Sequence, residues 1–154
     1  MPVKRLKEYL DSHQVRYQAL SHSRAFTAQD VAESAHVSGK ELAKCVMVRI
    51  DGKLAMAVVP AASRVDFDLL KLAAGARVVE LADEKEFKDM FPECEVGAMP
   101  PFGNLYGMET YASIRLMEHP EIAFNAGSHT ELIKLSYGDF ERLVRPKLAK
   151  ISAS

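Results

Sequence analysis

The sequence predicts an α/β fold, a mixed, curled central β-sheet surrounded by helices, and three observations carry that prediction. Two apolar runs rich in β-branched residues, at 44–50 and 53–59, flank Asp51 and Gly52, which is the pattern of a β-hairpin. Helical periodicity occurs on both sides of that hairpin. Strand patterns in the last third follow one another with irregular helical interruption, so a purely parallel doubly wound sheet is disfavoured.

Each element follows from its local pattern. Val3, Leu6, Tyr9 and Leu10 recur at helical spacing after Pro2, predicting an amphipathic helix over 3–13. Residues 15–20 read as a short strand. Thr27 with Asp30 three positions later resembles a capping box with Asp in place of Glu or Gln, so a second helix begins there. After the hairpin, 66–74 is helical and ends at Gly75, a residue that accepts a left-handed cap. A strand over 77–81 and a helix over 83–91, stopped by Pro92, come next. The segment GAMPPFG at 97–103 reads as a rigid loop, because its prolines exclude regular structure and fix the backbone. Strands at 110–116, 121–125 and 131–135 follow, and Ser136 caps a short helix through Val144. With no repeat or linker, 1–154 reads as one domain.

Composition narrows the function. With 154 residues, 48% hydrophobic and 27% charged, the chain can bury its own core, and no apolar run approaches the roughly 20 residues of a membrane span. The start, MPVKRLKEYLDSH, lacks the apolar stretch of a secretory signal, so a cytoplasmic location and no membrane partner are expected. Cys45 and Cys94 are too few for a disulfide framework. His22, His36 and His119 have no mutual spacing of a metal site, so no metal and no cofactor is expected. Twenty Lys and Arg against 21 Asp and Glu give a formal charge of −1, which argues against a broad grip on nucleic acid. An RNA footprint must be local.

Three segments could hold chemistry. Lys44 opens the first hairpin strand among core residues; its ammonium suits a phosphate or a developing oxyanion, and the plain alternative is a stem lying along the core with its amine in water. The 97–103 loop could bring backbone close to a ligand, or serve only as a turn. The segment NAGSH at 125–129 sets small residues beside an amide, a hydroxyl and an imidazole: its backbone N–H groups could bind an oxyanion and His129 could handle protons, or it could be a surface turn. Cys45 beside the Lys44 cation could be a thiolate with His129 as base, although neighbours on a strand point to opposite faces. Ser128 lacks the G-x-S-x-G elbow of a triad serine.

These segments, AKCVMV at 43–48, GAMPPFG and NAGSH, in this order, resemble the family of YbaK-like domains, which occur as free-standing tRNA deacylases and as the editing insertion of bacterial prolyl-tRNA synthetases. The resemblance runs from the first helix to about Val144 and implies hydrolysis of the ester of a mischarged aminoacyl-tRNA. Lys44 matches the family's pocket lysine. Gly97 and Pro101 match its Gly-x-x-x-Pro loop, with Met99 and Phe102 beside them as pocket-lining residues. Gly127 and His129 match its late turn, with Asn125 and Ser128 as substrate contacts, and Phe26 and Thr27 match the helix start that borders the amino-acid pocket. Cys45 stands where members often carry Asn or Thr, which leaves the amino acid open.

The implied partner is the 3′ end of a tRNA carrying a small amino acid such as alanine, serine or cysteine, on tRNA for proline or a related tRNA, with an aminoacyl-tRNA synthetase as a second partner. Water would attack the ester carbonyl while N–H groups around Gly97 and Gly127 hold the oxyanion, Lys44 fixes the nucleotide end, and the adjacent ribose hydroxyl or His129 carries the proton. Two rivals are a non-catalytic module that binds aminoacyl-tRNA or a synthetase, and a thiol-dependent hydrolase of small esters using Cys45 or Cys94.

Overall fold

The computed structural model describes residues 4–21, 40–95 and 97–153. The expected helix beginning at Thr27 lies outside the described residues. Helix α1 (Lys4–Ser12) buries Leu6 and Leu10, one turn apart on the face expected from the periodicity. Strand β1 (Tyr17–Ser21) follows, and the hairpin forms as β2 (Leu42–Ile50) and β3 (Lys53–Pro60). Its two turn residues adopt positive φ, 48° at Asp51 and 84° at Gly52, and the Asp51 carboxylate also accepts from the N–H groups of Arg77 and Val78.

The short strand β4 (Arg64–Val65) precedes α2 (Phe67–Ala74), where Asp66 caps the N-terminus through Leu69 and Gly75 closes the C-terminus in the left-handed conformation. Strand β5 (Val79–Leu81) is shorter than expected. The helix expected over 83–91 is corrected to α3 (Glu84–Phe87), which tightens into a 3-10 turn at Lys88–Met90. Pro92 disfavours α geometry at the residue before it, and Phe91 leaves the helix at φ −125°, ψ 61°. A second 3-10 turn, Gly103–Tyr106, leads to β6 (Glu109–Ser113). The strand expected to continue through Leu116 instead turns at Ser113, whose hydroxyl caps the 3-10 turn Ile114–Glu118. Strands β7 (Glu121–Asn125) and β8 (Glu131–Ser136), helix α4 (Tyr137–Val144) and the unforeseen strands β9 (Lys147–Ala149) and β10 (Ser152–Ala153) complete the chain.

The expected mixed sheet is present. Among the described residues it has eight strands, ordered β1-β8-β7-β2-β3-β6-β9 with β5 also paired to β2, and β10 pairs with β4 in a separate ribbon. The hairpin and the β7-β8 and β1-β8 pairs are antiparallel, whereas β2-β7, β3-β6 and β6-β9 are parallel. Alternation along β2 separates two cores. On one face Ala43 packs with Leu6, Leu10, Phe102, Phe124 and Phe140, and Cys45 and Met47 pack with Met56, Phe87, Phe91 and Met99, whereas Val46 and Val48 face a core built on α2 and β3. Phe102 is completely buried, its ring 5.4 Å from Phe124 and 5.9 Å from Phe140, so the 97–103 loop is anchored at its far end by an aromatic cluster.

Candidate active site

The site is assembled from the ends of strands. Strands β2 and β7 pair in parallel at Leu42 with Ala123 and Ala43 with Phe124. Lys44 and Asn125 are the next residues after that last pair, and alternation along β2 puts Lys44 on the sheet face opposite Cys45. The Lys44 Nζ makes a long 3.5 Å contact to the Ala61 carbonyl, and partial burial holds its pKa below the ordinary lysine value. The Asn125 Oδ1 is buried and has no hydrogen-bond partner among the described residues. A buried acceptor without a donor costs about 1–3 kcal/mol, an expense that a ligand's N–H would offset.

Beyond Asn125 the chain bends, and this bend is locked to the start of the 97–103 loop. The N–H of Gly127 donates to the Ala98 carbonyl at 2.9 Å, and the Gly127 carbonyl accepts from the Glu95 N–H at 2.7 Å. Ala98 N–H also closes a tight turn onto Glu95 O, with Gly97 at φ 85°. Gly97 is exposed and His129 is only 5% exposed, and a Cβ at position 97 would stand 3.6 Å from the imidazole Cε1. Gly97 thus packs directly over the His129 ring. The positive φ favours glycine at 97.

The structure therefore brings together Gly97, Gly127 and His129, with Asn125 leading into the same bend and Lys44 one residue past the last β2-β7 pair. Three expectations change. Gly127 is not an open oxyanion donor, because its N–H is spent on Ala98. The Ser128 hydroxyl lies 3.2 Å from the Thr130 hydroxyl and accepts from the Thr130 N–H, so it shapes the bend. Cys45, Met99 and Phe102 send their side chains into the core on the face opposite Lys44, and Pro101 is buried in the loop between them. Phe26 and Thr27 lie outside the described residues.

The cysteines are also unlike nucleophiles. Burial, reinforced by Cys94, pushes the Cys45 thiol up to about 12, and burial raises Cys94 as well, partly offset by its contact with the Tyr106 hydroxyl. A reactive thiol needs the opposite shift. Among the described residues, no group of three His, Cys, Asp or Glu side chains gathers as metal ligands. No described helix is long and apolar enough to cross a membrane. Glu95 and Ala98, which tie the two bends together, were not foreseen; they act through backbone atoms, which residue type does not reveal.

Comparison with known proteins bears on this geometry. A family model described as the aminoacyl-tRNA editing domain matches residues 22–143. The chain is 26% identical over 149 residues to the multifunctional Ser/Thr-tRNA deacylase ProXp-y of Escherichia coli (strain K12), covering 94% of this chain and 89% of that protein. It is 31% identical over 75 residues to a proline--tRNA ligase of Bacillus mycoides (strain KBAB4), 49% of this chain but 13% of the ligase. A solved structure described as a candidate trans-editing enzyme for prolyl tRNA synthetase superposes with a TM-score of 0.83 at 17% identity, covering 99% of this chain and 97% of the other, a likeness of fold. Sequence motifs, sheet topology and the family match agree: the chain belongs to the aminoacyl-tRNA editing domain family.

Proposed function

We propose that this protein is a free-standing aminoacyl-tRNA deacylase, hydrolysing the ester between a small amino acid and the 3′-terminal ribose of a mischarged tRNA. The observation that carries the reading is the junction of two distant bends, Gly97 against His129 and Gly127 bonded to Ala98 and Glu95, at the end of the β2-β7 pairing, which Lys44 and Asn125 directly follow. An aminoacyl ester is already activated, so positioning and electrostatics suffice. Water adds to the acyl carbon, the carbon–oxygen bond to the ribose breaks, the ribose oxygen takes a proton, and the free amino acid and uncharged tRNA leave.

In this reading the Lys44 ammonium holds the terminal nucleotide and fixes the ester. Asn125 Oδ1 accepts from the substrate's α-ammonium, which supplies the donor that the carboxamide lacks. The exposed backbone of Gly97 and the His129 imidazole border the acyl carbon, and the proton passes to the neighbouring ribose hydroxyl or to His129. The cargo is alanine, serine or cysteine; serine is the one shared with the name of the Escherichia coli relative. A pocket separates such residues weakly, since one methylene is worth about 1–3 kcal/mol. The same reading sets the protein in the cytoplasm beside charged tRNA and a synthetase whose errors it removes.

The test is release of free amino acid from a panel of mischarged tRNAs, with Lys44→Ala as the variant. Loss of the lysine should lower kcat/KM by roughly 100-fold or more, the scale on which an electrostatic group at a reacting centre acts, while the unfolding temperature stays close to that of the parent. Full turnover by Lys44→Ala removes the lysine from the mechanism. Binding of charged tRNA without release of amino acid would make the protein a binding module.

A further inference from the structure

Two adjoining cavities lie outside the site just described. The first, about 300 Å³, is lined by Pro60, Ala62, Ser63, Arg115, Glu118 and His119, among others. It flanks Ala61, the residue whose carbonyl the Lys44 amine contacts. The second, about 520 Å³, lies on the other side of the Ile114–Glu118 turn and includes Ile114, Met117 and Lys150. Arg115 and Glu118 line both, so the two adjoin as one trough with its first part beside Ala61.

Its chemistry differs from the surface average. Arg115 and Lys150 line it with Glu118 as the one carboxylate among the described lining residues, on a chain whose 20 Lys and Arg are outnumbered by 21 Asp and Glu. The cations are spread over two cavities rather than converging on one point, which suits a polyanion. Ile114 and Met117 are 43% and 49% exposed at the same place and add apolar surface beside the cations. Basic groups spaced along a groove suit the phosphates of a single-stranded nucleic acid backbone.

We infer that this trough, centred on Arg115, binds the backbone of the unpaired 3′ tail of the RNA just upstream of the esterified nucleotide. The inference rests on the deacylase reading for its substrate. It gives that substrate a path: terminal ribose at Lys44, preceding phosphates along Arg115 and Lys150.

The experiment uses the full chain and an uncharged RNA microhelix ending in an unpaired CCA tail, with binding followed by fluorescence anisotropy across salt concentrations. Arg115→Glu and Lys150→Glu should each raise Kd about tenfold at low salt. Each should also flatten the dependence of log affinity on log salt by about 0.7 for every phosphate that is no longer neutralised, the single-strand increment. Glu118→Lys should tighten binding, a gain that a merely structural role would not give. In parallel, the ratio of kcat/KM on mischarged tRNA to that on aminoacyl-adenosine, which has no phosphate, should fall about tenfold in Arg115→Glu.

Kd values and salt slopes within twofold of the parent in both reversal variants would overturn the trough and leave the deacylase reading intact. So would displacement of the microhelix by inorganic phosphate at matched ionic strength, which would mark a site for free phosphate. If the parent releases no amino acid from any tRNA while its microhelix binding still depends on Arg115, the deacylase reading fails and the trough stands.

Discussion

His129 sits against Gly97 with almost no exposure, and that contact sets what each residue can do. An imidazole acting as general base is worth roughly 100-fold or more, whereas one that only shapes the pocket is worth less. Because the ribose hydroxyl beside the ester can also carry the proton, His129→Ala is expected to slow single-turnover deacylation less than Lys44→Ala does. A substrate lacking that hydroxyl should then be the poorer one for both proteins. The opposite order of the two variants would make the imidazole the base. Gly97→Ala would put a methyl group at ordinary contact distance from the ring, but at a φ of 85°, where a residue with a Cβ costs about 1–2 kcal/mol. The unfolding free energy should fall by that amount and turnover should fall with it, measured by denaturant titration and the amino-acid release assay.

At the scale of elements, the loop from Gly97 to Phe102 is held at both ends. One end is bonded to the β7-β8 bend, and the other is driven into the core by Phe102 and sealed by Gly103, whose N–H donates to the Thr110 hydroxyl at 3.1 Å. A Cβ on Gly103 would come within 2.4 Å of that hydroxyl oxygen and 2.8 Å of the Met108 carbonyl, so backbone would have to move. Gly103→Ala should destabilise by about 1–3 kcal/mol and so lower the unfolding temperature by several degrees in a thermal melt, at about 2–4 °C per kcal/mol for a chain of this size. An unchanged melting point would mean that the β6 end of the loop yields freely.

Local patterns made several elements legible. The 51–52 turn, the Gly75 and Ser136 caps and the 121–125 strand depend on neighbours within a few residues. The site was legible only in pieces: residue types marked each bend, but the resemblance to a family joined them. Nothing local announces that Glu95 and Ala98 bond to Gly127 across about 30 positions, or that Cys45, Met99 and Phe102 turn inward.

For the molecule as a whole, the parallel pairs join segments distant in sequence, β3 with β6 and β2 with β7, and the short β9 exists only by adding to β6. Strands of two or three residues carry no periodicity of their own, which is why the C-terminal pieces were not foreseen. Burial across both sheet faces also sets the response to alkali. The folded state holds the Cys45 thiol near 12 against an ordinary 9.0, and burial followed by the Glu141 charge raises Tyr137 to about 12 against 10.0. Between about pH 9 and 12 the folded chain therefore keeps protons that the unfolded chain has lost, so stability is complete below pH 9 and declines as pH rises through that window. Lys44, depressed by burial, works in the other direction and softens the decline. Urea midpoints taken from pH 8 to 11 should fall; a flat series would mean that these groups ionise as easily folded as unfolded.

The two hydrogen bonds of Gly127, one through its donor and one through its acceptor, have a further bearing on redesign. Neither segment can be re-aimed while the other stays still, so altering cargo preference by changes at 95–98 should be felt at 125–129. Substitutions placed one in each segment should combine with an interaction energy far from zero, and an engineer would do best to vary the two stretches together.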